Sequence, residues 1–200
     1  ATGNSGRCFF AKLIEEGYTG KIRCIARKDH QQTIQLSKNR RLTSKRNINF
    51  IKNSNLNVEF YYGNIIDQEF LKESLKDIKT VLHLAGFHHA INIIEIGKPL
   101  GVEWFICVLT TGVFSKYNSL SEEYKKIESA MTKNVNVTIL RPSLIYGGSN
   151  DRQMSKLINR IKRYKFIPIV GSGNNLFQPV HAKDLGDAYW KLLTSEEDLK

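Results

Sequence analysis

Apolar residues along this chain follow two alternating patterns. Short runs rich in β-branched and aromatic residues mark strand candidates at 21–26, 57–61, 80–84, 103–109, 135–140 and 167–170. Between them, apolar positions three and four apart predict helices over 9–16, 68–75, 91–97, 119–133, 152–164 and 182–193. Strand and helix in turn argue for an α/β fold with a parallel sheet, because parallel neighbours need a long crossover that a helix supplies on either face. Ligands of such sheets sit at the carboxyl ends of the strands. That places the turns after Ala26, Tyr61, Leu84 and Leu109 along one rim.

Composition narrows the picture. A chain of 200 residues with 41% hydrophobic content can bury one substantial core, so a single domain over 1–200 is expected, with residues 145–180 contributing a small C-terminal lobe. No repeat or low-complexity tract breaks the alternation. No apolar run reaches the roughly 18 residues of a membrane span, and no charged-then-apolar pattern opens the sequence. A soluble, cytoplasmic protein with no membrane partner is the expectation. Cys8, Cys24 and Cys107 are odd in number and lack metal-ligand spacing; they read as reduced packing residues, and no metal site is expected.

The formal net charge of +11 gathers in two stretches, Lys38, Arg40, Arg41, Lys45 and Arg46, then Arg160, Lys162, Arg163 and Lys165. In the second, Met154, Leu157, Ile158, Ile161 and Tyr164 fall at helical spacing, which makes the cations the solvated face of an amphipathic helix. Such a surface attracts anionic cofactors and nucleotide-linked substrates. Without a reader motif or aromatic interleaving, nucleic acid is not the expected partner.

The chain opens on Ala1-Thr2-Gly3-Asn4-Ser5-Gly6, ahead of a helical run and the apolar segment Ile22 to Ala26. Gly3 and Gly6 allow a tight turn and close approach of a pyrophosphate, whose charge the free N–H groups of the next helix would hold. The same spacing also suits an ordinary strand-to-helix turn.

Two distant segments sharpen the reading: Val137-Thr138-Ile139-Leu140-Arg141-Pro142-Ser143-Leu144-Ile145-Tyr146-Gly147 and Gln178-Pro179-Val180-His181-Ala182-Lys183-Asp184-Leu185. With the corner at Thr2, the chain resembles the short-chain dehydrogenase/reductases, and within them the NAD(P)-dependent epimerase/dehydratase group and its atypical, NmrA-like relatives. Val58 to Asp67 resembles the segment that closes on the adenine ring, and Thr80 to Gly86 the fourth strand with its cofactor-facing turn. The resemblance implies a Rossmann-type, doubly wound parallel sheet binding NADP, with NAD as the alternative. It implies a small-molecule or nucleotide-sugar substrate, hydride transfer, and homodimerisation as an option; a non-catalytic NADP(H) sensor or assembly subunit is the alternative reading.

The match has gaps. The family places its central first strand before Thr2, carries a third glycine where Phe9 stands, and has about three more residues between Gly6 and Gly17. The expectation is that the sequence is part of a longer chain, lacking that strand and a few residues between Gly6 and Arg7.

Site residues carried over from the resemblance are Thr2, Gly3, Ser5 and Gly6 at the phosphates, with Ala85 and Gly86 against the middle of the cofactor. Ala26-Arg27-Lys28 replaces the acid of NAD-preferring members; Arg27 and Lys28 can bind a 2′-phosphate, although Asp29 is near. Asn64 and Asp67 neighbour the adenine, and Asp67 also suits the N-cap of the helix beginning at Gln68. Arg141 and Pro142 turn beneath the nicotinamide, where Arg141 mainly anchors the chain. Gln178 and His181 stand on the substrate side, His181 with Asp184 also suiting the start of the last helix; His88, with His89, can face the nicotinamide and substrate side or serve as an ordinary loop histidine.

Active members orient substrate with a Ser or Thr, here Thr110 or Thr111, and move a proton with a Tyr-x-x-x-Lys pair. That pair is absent: the residues four beyond Tyr117 and Tyr124 are Ser121 and Glu128. A replacement would use Tyr117 or Tyr124 as the acid, with Lys116 or Lys125 as its electrostatic partner.

Overall fold

The computed structural model describes residues 3–27, 38–116, 120–133, 136–147, 151, 154–169, 171–174 and 176–195. Helix α1 spans Asn4–Glu15, followed by strand β1 (Ile22–Ala26), α2 (Lys38–Lys52), β2 (Val58–Tyr62), α3 (Gln68–Leu75) and β3 (Thr80–His83). The second half runs α4 (Ala90–Gly97), β4 (Trp104–Val108), α5 (Ser121–Thr132), β5 (Val137–Leu140), β6 (Leu144–Tyr146), α6 (Met154–Tyr164), β7 (Pro179–His181) and α7 (Ala182–Thr194). Among the described residues no helix is long and apolar enough to cross a membrane.

Every strand pairing is parallel. β1 pairs with β2 from Ile22 opposite Val58 to Ala26 opposite Tyr62. β4 lies between β3 and β5, with Thr80 opposite Trp104 and Phe105 opposite Val137. β6 and β7 form a separate pair. Period-two alternation sends successive residues of β4 to opposite faces. Phe105 and Cys107 join Leu71, Ile94 and Met131 on the face covered by α3, α4 and α5. Val108, with Leu82 and Leu140, joins Phe9, Phe10, Leu13, Ile51 and Tyr189 on the face covered by α1, α2 and α7. Helices on both faces of parallel strands make this an α/β, Rossmann-like fold.

The sheet is split: β1 and β3 do not pair. They nonetheless belong to the same two cores, Ile25 with Val81 on one face and Ile22 with Leu82 on the other.

Several expectations need correction. α1 begins at Asn4 rather than Phe9, because its first turn is polar and invisible to an apolar pattern. Its first turn is closed by the Arg7 N–H, which donates to the Gly3 carbonyl at 3.0 Å. The basic stretch at 38–46 starts a helix that the pattern missed, α2. No strand forms at 165–169, where Pro168 lacks a donor and Phe166 and Ile169 are each 69% exposed. The short β6 and β7 were not foreseen. Helix α6 forms as its spacing predicts, yet buries none of its described residues.

Candidate functional site

Connectivity fixes the location of the site. Since α1 runs back to the start of β1, its N-terminus at Gly3 lies at the carboxyl ends of the strands. Gly3 is the N-cap, extended at φ −81° and ψ −179°, and, having no side chain, makes no capping hydrogen bond to the first-turn N–H groups. Those groups, with the positive end of the helix dipole, suit an anion. Among the described residues beyond its chain neighbours, nothing lies within 4 Å of a Cβ added to Gly3. Gly6 is buried one turn in. Ser5 lies by Tyr189 of α7, whose phenol is pushed above its ordinary value by burial and drawn back by the serine hydroxyl. Asn47 of α2, buried, sends its amide toward the Gly3 carbonyl at 3.4 Å. Thr2, Lys28 and Tyr117 lie outside the described residues.

Next along the rim, Arg27 is exposed directly after Ala26, and the Ala26 carbonyl accepts from the Gly63 N–H at 3.0 Å. Asn64 Oδ1 accepts from the Ile66 N–H at 3.2 Å. Asp67 caps α3, its Oδ1 accepting from the N–H groups of Glu69 at 3.1 Å and Phe70 at 3.2 Å. Both side chains are turned to local backbone, so any adenine contact uses the acceptor capacity that remains.

After β3, Ala85 and Gly86 are exposed. Buried His83 holds the Gly86 carbonyl at 3.2 Å through Nε2; burial pushes its pKa down to about 4, with the carbonyl opposing. A 3₁₀ turn, Phe87–His89, follows. His88 Nδ1 lies 3.2 Å from Glu123 Oε1 of α5, and its ring lies on Phe87 with centroids 3.7 Å apart. Phe87 meets Tyr124 edge-on at 4.4 Å.

Thr110, two residues past β4, caps the 3₁₀ turn Thr111–Phe114, its Oγ1 accepting from the Gly112 N–H at 3.1 Å, while Thr111 is exposed. Tyr124 is buried, and Lys125 pairs with Glu122 at 2.7 Å on the solvent face of α5. Consecutive helical residues point about 100° apart, so the replacement pair expected from Tyr124 and Lys125 does not come together. Lys116 is exposed. Arg141 is held by Glu128 through Nε and Nη2. Half-buried Pro142 follows it and Gln178 is exposed. His181 caps α7, its Nδ1 accepting from the Lys183 N–H at 3.2 Å, with its ring against Tyr146. Among the described residues no group of three His, Cys, Asp or Glu could hold a metal ion.

Residues 87–200 match the model of the NAD dependent epimerase/dehydratase family. The chain belongs to this family. An uncharacterised protein y4nG of Sinorhizobium fredii is 25% identical over 169 residues, spanning 68% of this chain and 43% of that protein. Among solved structures, the chain is similar to the Escherichia coli NADPH-dependent quinone oxidoreductase QOR2 complexed with NADPH, with TM-score 0.72 and 14% identity. That match covers 98% of this chain and 64% of QOR2. The Citrobacter sp. triphenylmethane reductase complexed with NADP(H) gives TM-score 0.68 and 17% identity over the same shares. The chain thus spans less than half of the relative and under two-thirds of these structures.

The N-terminus of α1, a basic residue after β1 and the turn after β3 lie along one rim. Sequence reasoning missed Asn47 and Glu123. Asn47 sits in a helix with no apolar signature, and Glu123 looks like one of many surface acids until the 87–89 turn brings His88 to it.

Proposed function

We propose that this chain binds NADP(H) along the rim and serves NAD(P)-dependent oxidoreductase chemistry on a small-molecule substrate. The observation that carries it is the uncapped N-terminus of α1 at Gly3, open to an anion, on the rim that also holds Arg27. The free N–H groups of the first turn hold the pyrophosphate, and Arg27, with no acid at Ala26 to repel it, takes a 2′-phosphate. Ala85 and Gly86 let the middle of the cofactor lie against backbone. When bound, the nicotinamide supplies or accepts hydride. Thr110 or the exposed Thr111 orients the substrate. A further parallel strand between β1 and β3 belongs to this reading, supported by two edges that share both cores without pairing.

A second reading is a non-catalytic NADP(H)-binding sensor or assembly subunit. The placement of Lys125 on Glu122, away from Tyr124, favours it. One titration series tests the binding that both readings need: NADPH and NADH are added to the full-length protein and to Arg27→Ala, following nicotinamide fluorescence. Tighter binding of NADPH than NADH, weakened about ten-fold in the variant, is expected, equivalent to about 1.4 kcal/mol. Binding of neither nucleotide overturns both readings. Turnover with carbonyl or quinone acceptors then separates enzyme from sensor.

A further inference from the structure

The geometry points to His88 as the proton donor to a substrate carbonyl oxygen, with Glu123 as its positioning residue. This rests on the proposed NADPH-dependent chemistry and names the group that manages its proton. The family's Tyr-x-x-x-Lys pair is missing, Tyr124 is 9% exposed against Phe87, and Lys125 is engaged by Glu122. His88 stands where that pair's work is needed, two residues past Gly86 on the rim, with its side chain 51% exposed.

Three contacts give the ring one orientation. The Glu123 carboxylate only accepts, so at 3.2 Å it places a proton on Nδ1. Phe87 covers one ring face, and Tyr124 backs Phe87 edge-on. The ring nitrogen that Glu123 does not engage is Nε2. A carboxylate that fixes one imidazole nitrogen selects the tautomer and stabilises the imidazolium, which is how an exposed histidine becomes a directed acid or base. The ionisable residues near it on the packed elements are His83 and His89 beside the turn and Glu122, Glu123, Tyr124, Lys125 and Lys126 on α5; Glu122 and Lys125 satisfy each other.

The step balances as follows. The carbonyl carbon takes the hydride that reduced nicotinamide supplies, and the C–O π pair moves to oxygen. That oxygen takes the proton from Nε2, giving an alcohol. His88 is left neutral with Nδ1–H on Glu123 and regains a proton from solvent.

Two measurements on the full-length protein test this. Histidine-ring 1H–15N correlation reads the His88 tautomer at neutral pH: Nδ1–H is expected in the parent and in Glu123→Asp, with a shift to Nε2–H in Glu123→Gln. Turnover of 9,10-phenanthrenequinone with NADPH is expected to lose about 100-fold in kcat in His88→Gln, with NADPH affinity unchanged. A kcat within about two-fold of the parent, a tautomer indifferent to Glu123→Gln, or NADPH binding without turnover overturns the assignment. Failure to bind NADPH overturns the proposed function instead, and the tautomer, read without cofactor, still decides whether Glu123 positions His88.

Discussion

Arg141 grips Glu128 through two guanidinium nitrogens, tying the carboxyl end of β5 to α5. The two side chains are 29% and 22% exposed, and the Phe114 ring lies over the guanidinium at 5.7 Å. Removing one partner leaves a carboxylate partly desolvated without its donor, which costs more than the pair itself contributes. Arg141→Ala is expected to lower unfolding stability by about 1.5–3 kcal/mol, with Arg141→Ala/Glu128→Gln recovering part of it. Urea unfolding of the parent, both single variants and the double variant measures the coupling. An additive double variant would mean that Arg141 acts elsewhere.

A close approach between α7 and α1 sets the position of the α1 N-terminus. A Cβ added to Gly186 of α7 would sit 2.8 Å from the carbonyl carbon and oxygen of Cys8 in α1. Alanine in a helix gains up to about 1 kcal/mol over glycine, but a collision with backbone cannot be relieved by a rotamer and costs about 1–3 kcal/mol. The collision wins. Gly186→Ala is expected to lower the thermal midpoint and, by displacing α1, to weaken NADPH binding as well. A stabilised variant with parental affinity would show that the two helices separate freely.

Much of this arrangement was legible in the pattern of residues. β1 to β5, α3 to α5 and α7 fall where period two and period 3.6 place them, because each packs one face on a core and the burial leaves its period in the sequence; α6 follows its period too, although none of its described residues is buried. Helix α2 was not legible: its apolar contribution is concentrated in Phe50 and Ile51 at one end, amid polar and basic residues. At the site, the cap role of Asp67 could be read from position; at α7, position pointed to His181 and Asp184 together, and the structure gives the cap to His181. The partners of Lys125 and Arg141 could not. Glu122, Glu123 and Glu128 all fall within one short charged stretch in sequence, and only the geometry of α5 assigns them to Lys125, His88 and Arg141.

The cysteines differ in reach. Burial pushes the Cys107 thiol up to about 12 and raises Cys24 too, and both are almost fully enclosed. Cys8 is only partly covered; burial raises it and Arg7 opposes the rise. Thiolate, not thiol, reacts with disulfide reagents. Native protein at pH 8 is therefore expected to lose Cys8 first to Ellman's reagent, with Cys24 and Cys107 reacting only on opening. Mass mapping of early adducts checks the order, and early labelling of Cys107 would contradict the packing of β4.

His83 gives the fold a pH-dependent element. Its folded pKa of about 4 lies below the ordinary 6.5 because burial strips the imidazolium of water, an effect the Gly86 carbonyl only partly offsets. Between those values the unfolded chain binds more protons than the folded one, so stability rises with pH across that window. The contribution is complete above about pH 6.5 and is lost as pH falls toward 4, amounting to about 3 kcal/mol from the size of the shift. Protonation would also turn an Nε2 that faces the Gly86 carbonyl into part of a buried cation, loosening the turn that carries His88. Urea midpoints from pH 4.5 to 7.5 are expected to slope steeply in the parent and much less in His83→Gln, whose amide nitrogen can take the place of Nε2 toward the Gly86 carbonyl without titrating. Equal slopes would place the acid sensitivity in the carboxylates rather than at the end of β3.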